Sequence, residues 1–306
     1  MRRAISSAFV GLAAMVLASA TPRPAEAGSM TYIALGDSLA FGETDFTHNP
    51  SYGDRGYVAK YADSLASQNG GVRPNVVNLG VDGETTTSFF GGGQAAAPLN
   101  LNYPSASTSQ NTLLTSKIAS ELAAGHTIGA VTISLGANDL FAVVGAPGFF
   151  ALSPAQQQGA ILASMSTIQN NYTALLTELH ALVPNAAVTV VGDYNPYAAL
   201  PAGASPLVGL AGPAIQLLNA VIAGQASAFG AKYVDLYTPF IKHEGEYTYI
   251  LAPPPGTNVH PNEFGYGVIA NAINPVPEPS TMALMGVLGL GIAGRAYRRK
   301  TAAVAA

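Results

Sequence analysis

The 306 residues contain no cysteine. A disulfide scaffold, a thiol nucleophile and a cysteine-ligated metal site are therefore excluded. Charge is scarce: only 10% of the chain is Asp, Glu, Lys or Arg, with a formal net charge of −4. The chain thus lacks the basic footprint that a nucleic-acid backbone demands, and no nucleic-acid partner is expected. What is plentiful points elsewhere. Thirty-three glycines and 21 prolines argue against a long helical rod, and a hydrophobic fraction of 49% argues against disorder.

The charges are unevenly placed. Of the Lys and Arg residues, Arg2, Arg3 and Arg23 precede residue 28, and Arg295, Arg298, Arg299 and Lys300 follow residue 294. Among the acids, Glu26 and Glu278 alone lie outside residues 28–275, leaving an acidic body between basic ends. Such a body suits a soluble exported domain rather than one that clings to anionic lipid. Residues 1–27 read as a secretory signal: Arg2 and Arg3, an apolar run over 4–18, then Ala18-Ser19-Ala20 and Ala25-Glu26-Ala27 as small-residue cleavage patterns. At the other end, Val276-Pro277-Glu278-Pro279 precedes an uncharged stretch over 280–294 and the basic cluster. That stretch spans about 22 Å as a helix, short against a bilayer core of about 30 Å, and the cluster behind it predicts a cytoplasmic C-terminus. Residues 276–306 resemble the PEP-CTERM sorting signal. The resemblance implies an exosortase and the secretion machinery as partners, transient inner-membrane anchoring by the C-terminal helix, cleavage near the motif, and delivery to the envelope or outside the cell. Gly289-Leu290-Gly291-Ile292-Ala293-Gly294 fits a dinucleotide fingerprint, but follows no strand and opens no βαβ unit.

Between these ends, residues 28–275 form one expected domain. Short β-branched runs predict strands at 30–35, 72–79, 128–135, 187–191 and 232–236. Apolar residues at three- and four-residue steps predict helices at 56–68, 112–124, 154–182, 213–229 and 261–273. Strict alternation means parallel pairing with right-handed crossovers, hence a three-layer α/β domain. Two polar loops, 43–55 and 88–110, are long enough to suggest function.

In an open parallel sheet, ligands collect at the carboxyl ends of the strands. Strand one ends in Gly36-Asp37-Ser38-Leu39. Strand two runs into Gly80-Val81-Asp82-Gly83, and strand three into Gly136-Ala137-Asn138-Asp139. His260-Pro261-Asn262 opens the last helix. Each piece alone reads as a turn glycine, a capping residue or a core histidine. Together they place a hydroxyl nucleophile, amide donors and a base on converging loops. Ser38 does not fit the G-x-S-x-G elbow of the α/β-hydrolases, because Ala40 stands where the second glycine belongs.

These four blocks, in this order, resemble the SGNH (GDSL) hydrolases over essentially all of residues 30–273. The resemblance implies a three-layer α/β/α sandwich on a five-stranded parallel sheet, of flavodoxin-like order. It also implies ester hydrolysis with Ser38 as nucleophile and His260 as base. Ser38, Gly83 and Asn138 would form the oxyanion hole. Asp37 and Asp139 would fix the loops. One departure stands out: where the family carries an aspartate three residues before the histidine, this chain has Thr257. Thr257 is the possible third triad member; Asn258, a backbone carbonyl, Glu244 or Glu246 are the alternatives, as is a Ser–His dyad.

No metal and no cofactor are expected, since His48, His126, His180 and His243 show no ligand spacing. Tyr52, Tyr57, Phe89 and Phe90 are candidates for an acyl pocket. The expected protein is a monomer, an exported esterase or lipase acting on a small-molecule, lipid or glycan ester. The alternatives are a polysaccharide acetylesterase and a catalytically weak matrix or adhesion protein that keeps the fold.

Overall fold

The computed structural model describes residues 29–44 and 49–274. The expected signal segment, the tail with its 280–294 helix and glycine fingerprint, and His48 lie outside the described residues. Among the described residues, no helix is long and apolar enough to cross a membrane.

Five strands form one sheet: β1 (Met30–Gly36), β2 (Asn75–Asn78), β3 (Thr127–Ser134), β4 (Ala187–Val191) and β5 (Lys232–Val234), in the order β2-β1-β3-β4-β5 and all parallel. Ten α-helices are described. They are α1 (Ser38–Phe41), α2 (Gly56–Gln68), α3 (Thr86–Gly91), α4 (Gln110–Ala123), α5 (Ala137–Val144), α6 (Pro154–Leu182), α7 (Ala211–Ala228), α8 (Tyr237–Phe240), α9 (Glu244–Tyr247) and α10 (Glu263–Ile273). The two-residue period of a strand sends Tyr32 and Ala34 to a core shared with α2 and α10. Ile33 and Leu35 face the opposite way, into a larger core with α4, α6 and α7. This is the expected three-layer α/β/α sandwich.

The regular elements have local causes. Ser153 and Gln156 form a reciprocal capping box at the start of α6, with Pro154 in the first turn. Ile161, Met165, Ile168, Tyr172, Leu175 and Leu179 then recur along its buried face. Boundaries shift where side chains intercept the backbone. β5 stops at Val234, two residues short of expectation, because the carboxylate of Asp235 accepts the amide of Tyr237 at 2.8 Å and turns the chain. β2 begins only at Asn75, since Pro74 supplies no donor to the ladder. The last helix begins at Glu263, not Pro261, with Asn262 as its cap accepting from Gly265 N–H. The segment 88–110 is only partly a loop: it contains most of α3 and a single 3₁₀ turn at Ala97–Leu99.

The chain moves outward from β1 to β2 and then returns to β3 on the other side. That reversal opens a crevice above the carboxyl ends of β1 and β3. Close passage of these two strand ends requires glycine. Gly36 has φ +146°, and a Cβ there would run into the Ser134 carbonyl. Gly36→Ala is expected to destabilise the protein by about 3 kcal/mol or more. The exposed helical Gly159, which has nothing within 4 Å of an added Cβ, should gain about 0.5–1 kcal/mol on replacement by alanine. Thermal unfolding of the two variants checks both signs.

Candidate active site

Ser38 is the first residue of α1, immediately after β1, and is half-buried. The turn that delivers it is held from several sides. Asp37 N–H donates to the Ser134 carbonyl at 3.0 Å, and the Asp37 carboxylate accepts from Leu39 N–H at 2.9 Å. The fully buried Gln110, at the start of α4, uses its amide as a backbone would: its Oε1 accepts from Gly36 N–H at 2.6 Å and its Nε2 donates to the Gly36 carbonyl at 2.9 Å. Nothing in the local sequence around Gln110 announces this contact, which joins positions 74 residues apart.

Ser38, Asn138, Thr257 and His260 line one cleft of about 360 Å³. Gly83 is not in its lining; the preceding Asp82 is. Gly83 holds a φ of +77°, and its carbonyl accepts from Gln94 at 3.0 Å, so the turn is fixed from behind. The Nδ2 of Asn138 donates to the Glu84 carbonyl at 3.1 Å. Its second hydrogen meets only a 3.5 Å contact with Asp37 Oδ2, too long to hold it firmly. Asp139 is turned away from the cleft. Its carboxylate accepts both the amide and the hydroxyl of Thr86, at 2.8 and 2.7 Å, tying α5 to α3.

The surroundings of His260 differ from the expectation for Thr257. The Thr257 hydroxyl donates to the Pro254 carbonyl at 2.7 Å and is spent there. The group beside the imidazole is Asn258, whose Oδ1 lies 3.0 Å from His260 Nδ1 and accepts the His260 backbone N–H at 3.0 Å. The Asn258 Nδ2 donates to the Thr44 carbonyl at 3.1 Å. Two independent contacts therefore orient the amide: its oxygen faces an obligate donor and its nitrogen an obligate acceptor. An acceptor facing Nδ1 suits the neutral tautomer that carries its hydrogen there. The Tyr194 hydroxyl, from the end of β4, donates to the Val259 carbonyl at 2.7 Å and fastens the same loop. The alternative orienters Glu244 and Glu246 do not line the cleft.

The candidate acyl pocket is also elsewhere. Tyr52 is 64% exposed, Tyr57 is buried under the sheet with its hydroxyl near Thr132, and Phe89 packs into the larger core. Helix periodicity turns Tyr57 and Phe89 into the two cores, and Tyr52 lies in a loop. The cleft is walled instead by Phe141, Tyr194 and Tyr197. Behind Ala137, Phe141, Tyr197 and Ile215 lies a second, wholly apolar slot of about 30 Å³, closed by Leu140, Val144 and Leu207.

Among the described residues, the carboxyls of Asp37, Asp82 and Asp193 line the cleft and no Lys or Arg does. Burial raises Asp37 well above the usual carboxylate range, and the neighbouring Asp193 adds to the shift. Burial alone pushes Asp193 up to about 7. Glu84, buried beside the Gly83 turn and bonded to Ser88 and Gln110, is also pushed up to about 7, chiefly by burial. Among the described residues, no group of three or more His, Asp or Glu is arranged to hold a metal ion.

In an unfolded chain an aspartate ionises near pH 4, whereas folded Asp193 keeps its proton to about pH 7. Between those values the unfolded state releases a proton that the folded state retains, so this group lowers stability as pH rises and adds no further loss above 7. Asp193→Asn should accordingly raise Tm at pH 8, by about 3 °C or more, with the gain shrinking toward pH 4. Calorimetry across that range checks the sign.

Comparison with known proteins agrees with this architecture. The fold resembles a lipase from a goat rumen metagenome (TM-score 0.55, 20% identity, 80% of this chain and 96% of that one). It resembles the extracellular lipase of Streptomyces rimosus (0.52, 19%, 80% and 99%). A mutant acetyl-xylooligosaccharide esterase of Geobacillus stearothermophilus is similar as well (0.51, 18%, 81% and 94%). No curated protein sequence matches the chain. Residues 275–300 match the PEP-CTERM protein-sorting motif, which indicates export and exosortase-mediated sorting to the envelope. Residues 34–268 match the family model of the GDSL-like lipases and acylhydrolases, and with most of its length covered the chain belongs to that family of ester-hydrolysing enzymes.

Proposed function

We propose that the protein is an exported serine hydrolase that cleaves short-chain carboxylic esters through a Ser38–His260–Asn258 triad. The observation that carries the reading is the double anchoring of Asn258, which holds its amide oxygen against an imidazole lining the same cleft as Ser38. In the reaction, Ser38 Oγ attacks the acyl carbon as His260 Nε2 takes its proton. The backbone N–H groups of Ser38 and Gly83 and the weakly held Nδ2 hydrogen of Asn138 receive the oxyanion. The imidazolium returns the proton to the departing alkoxide, leaving the acyl group on Ser38. Water then repeats the sequence, releases the carboxylic acid and restores the hydroxyl.

Asn258 orients the ring as an aspartate would, but carries no charge. What this amide supplies is orientation of the ring. The apolar slot supports an acyl preference. At about 30 Å³ it has room for only two or three non-hydrogen groups, since one water needs roughly 10–15 Å³. This favours acyl chains from about two to four carbons and brings the polysaccharide acetylesterase reading close, a reading also supported by the acetyl-xylooligosaccharide esterase among the structural neighbours. The domain division follows: residues 1–27 are removed on export, 28–275 form a monomeric enzyme, and 276–306 anchor it transiently until an exosortase cleaves near the motif.

Ser38→Ala and His260→Ala should each abolish turnover of p-nitrophenyl acetate. Asn138→Ala should lower kcat by about 10²–10³. Asn258→Ala should lower kcat with little change in KM, because the ring is misoriented only where it must act. Full activity in Ser38→Ala would refute the triad and favour a matrix protein that keeps the fold. Across p-nitrophenyl esters, kcat/KM should peak between acetyl and butyryl and fall steeply by octanoyl. A maximum at eight carbons or more would overturn the role of the slot and dismiss the glycan reading.

A further inference from the structure

The triad leaves one cleft group unused. Asp193 stands just beyond β4, 6% exposed, and lines the cleft, where among the described residues no Lys or Arg accompanies it. Among the described residues, no donor bonds to its carboxyl, and burial raises it. Its backbone is nonetheless rigidly held. The Asn219 side chain accepts the Asp193 amide and donates to its carbonyl, both at 2.8 Å. The preceding Gly192 is packed so closely against the Tyr233 hydroxyl and Asn219 that a Cβ would not fit. A buried carboxyl without a partner costs stability unless a ligand completes it. Here the main chain around it is prearranged and the side chain faces open space.

We propose that Asp193 is the substrate-recognition group of this cleft and takes a hydroxyl of the alcohol portion of a polyhydroxylated ester. This rests on the hydrolase reading above. The acyl portion is served by the apolar slot behind Ala137, Phe141, Tyr197 and Ile215, so the carboxyl-lined part of the cleft receives the other half of the ester. Three carboxyls without a Lys or Arg disfavour an anionic alcohol. Between a hydroxyl and a cation, burial decides. A carboxyl that keeps its proton to about pH 7 both donates and accepts, as a hydroxyl requires, whereas a cation needs the charged form that this site penalises most. The rings of Tyr194 and Tyr197 beside it offer the apolar surface that a sugar or glycerol carbon face can cover.

The test compares kcat/KM of the full chain for glycerol monoacetate and for 2-methylbutyl acetate, in which methyl groups replace both hydroxyls, with acetylcholine as the cationic probe. The wild type should prefer glycerol monoacetate. Asp193→Ala should lower the ratio of the two acetates about tenfold, as loss of one buried hydrogen bond does. Asp193→Asn, which keeps a donor and an acceptor, should hold the ratio within about threefold of the wild type. An unchanged ratio in Asp193→Ala, or a wild-type ratio below one, overturns the proposal while leaving the hydrolase intact. Preference for acetylcholine, lost equally in the Asn and Ala variants, overturns it in favour of a cation. Inertness of the wild type toward both acetates and toward p-nitrophenyl acetate would remove the hydrolase reading itself, and this inference with it. Should Asp193→Ala fail to fold by circular dichroism, the wild-type ratio and Asp193→Asn decide.

Discussion

The contact between Gly36 and the Ser134 carbonyl sets the geometry on which the rest depends. β1 and β3 are adjacent parallel strands, and their ends must pass closely before the chain turns into α1 and α5. With no Cβ, Gly36 takes a φ that other residues resist and lets the Ser134 carbonyl accept the Asp37 amide. Gln110 saturates both polar groups of Gly36, so the turn carries no buried unpaired donor or acceptor there. Ser38 emerges from this fixed point, with Asn138 arriving on the neighbouring strand end.

Amide side chains do much of the fastening around the site. Asn78 donates to the carbonyls of Ala40 and Gly53 and accepts from Gly80, while Asn100 donates to the carbonyls of Asn78 and Gly80. Each amide has a donor and an acceptor at fixed separation, and so can stand in for a peptide group where loops cannot pair as strands. Asn258 extends the same logic to the histidine. Loops in a chain without cysteine are held by such contacts, because no covalent bridge is available.

The cleft also concentrates groups that a stable protein avoids. Asp37, Asp193 and, beside the Gly83 turn, Glu84 are buried carboxyls whose charged forms are penalised. Asp37 and Glu84 receive hydrogen bonds and serve to hold the loops. Among the described residues Asp193 receives none, which separates a group kept for architecture from one that architecture does not need.

Much was legible in order along the chain. Alternating strand and helix periods, Ser153-Pro154 before a long apolar stripe, and the glycine-flanked blocks at Ser38, Gly83, Asn138 and His260 are local patterns, written wherever backbone geometry constrains a residue type. They determined the sheet, the layers and which loops meet. Tertiary structure alone decided what those loops present to one another. Thr257 and Asn258 are neighbours, both polar and both near His260; the Thr44 carbonyl, more than two hundred residues away, helps to turn the Asn258 amide toward the ring. Gln110 and Asp193 carry no local signature, since their roles arise from distant backbone atoms and from burial. Local sequence fixes torsions and periods, whereas the direction of a side chain's hydrogen bond and the dielectric around a carboxyl are properties of the assembled core.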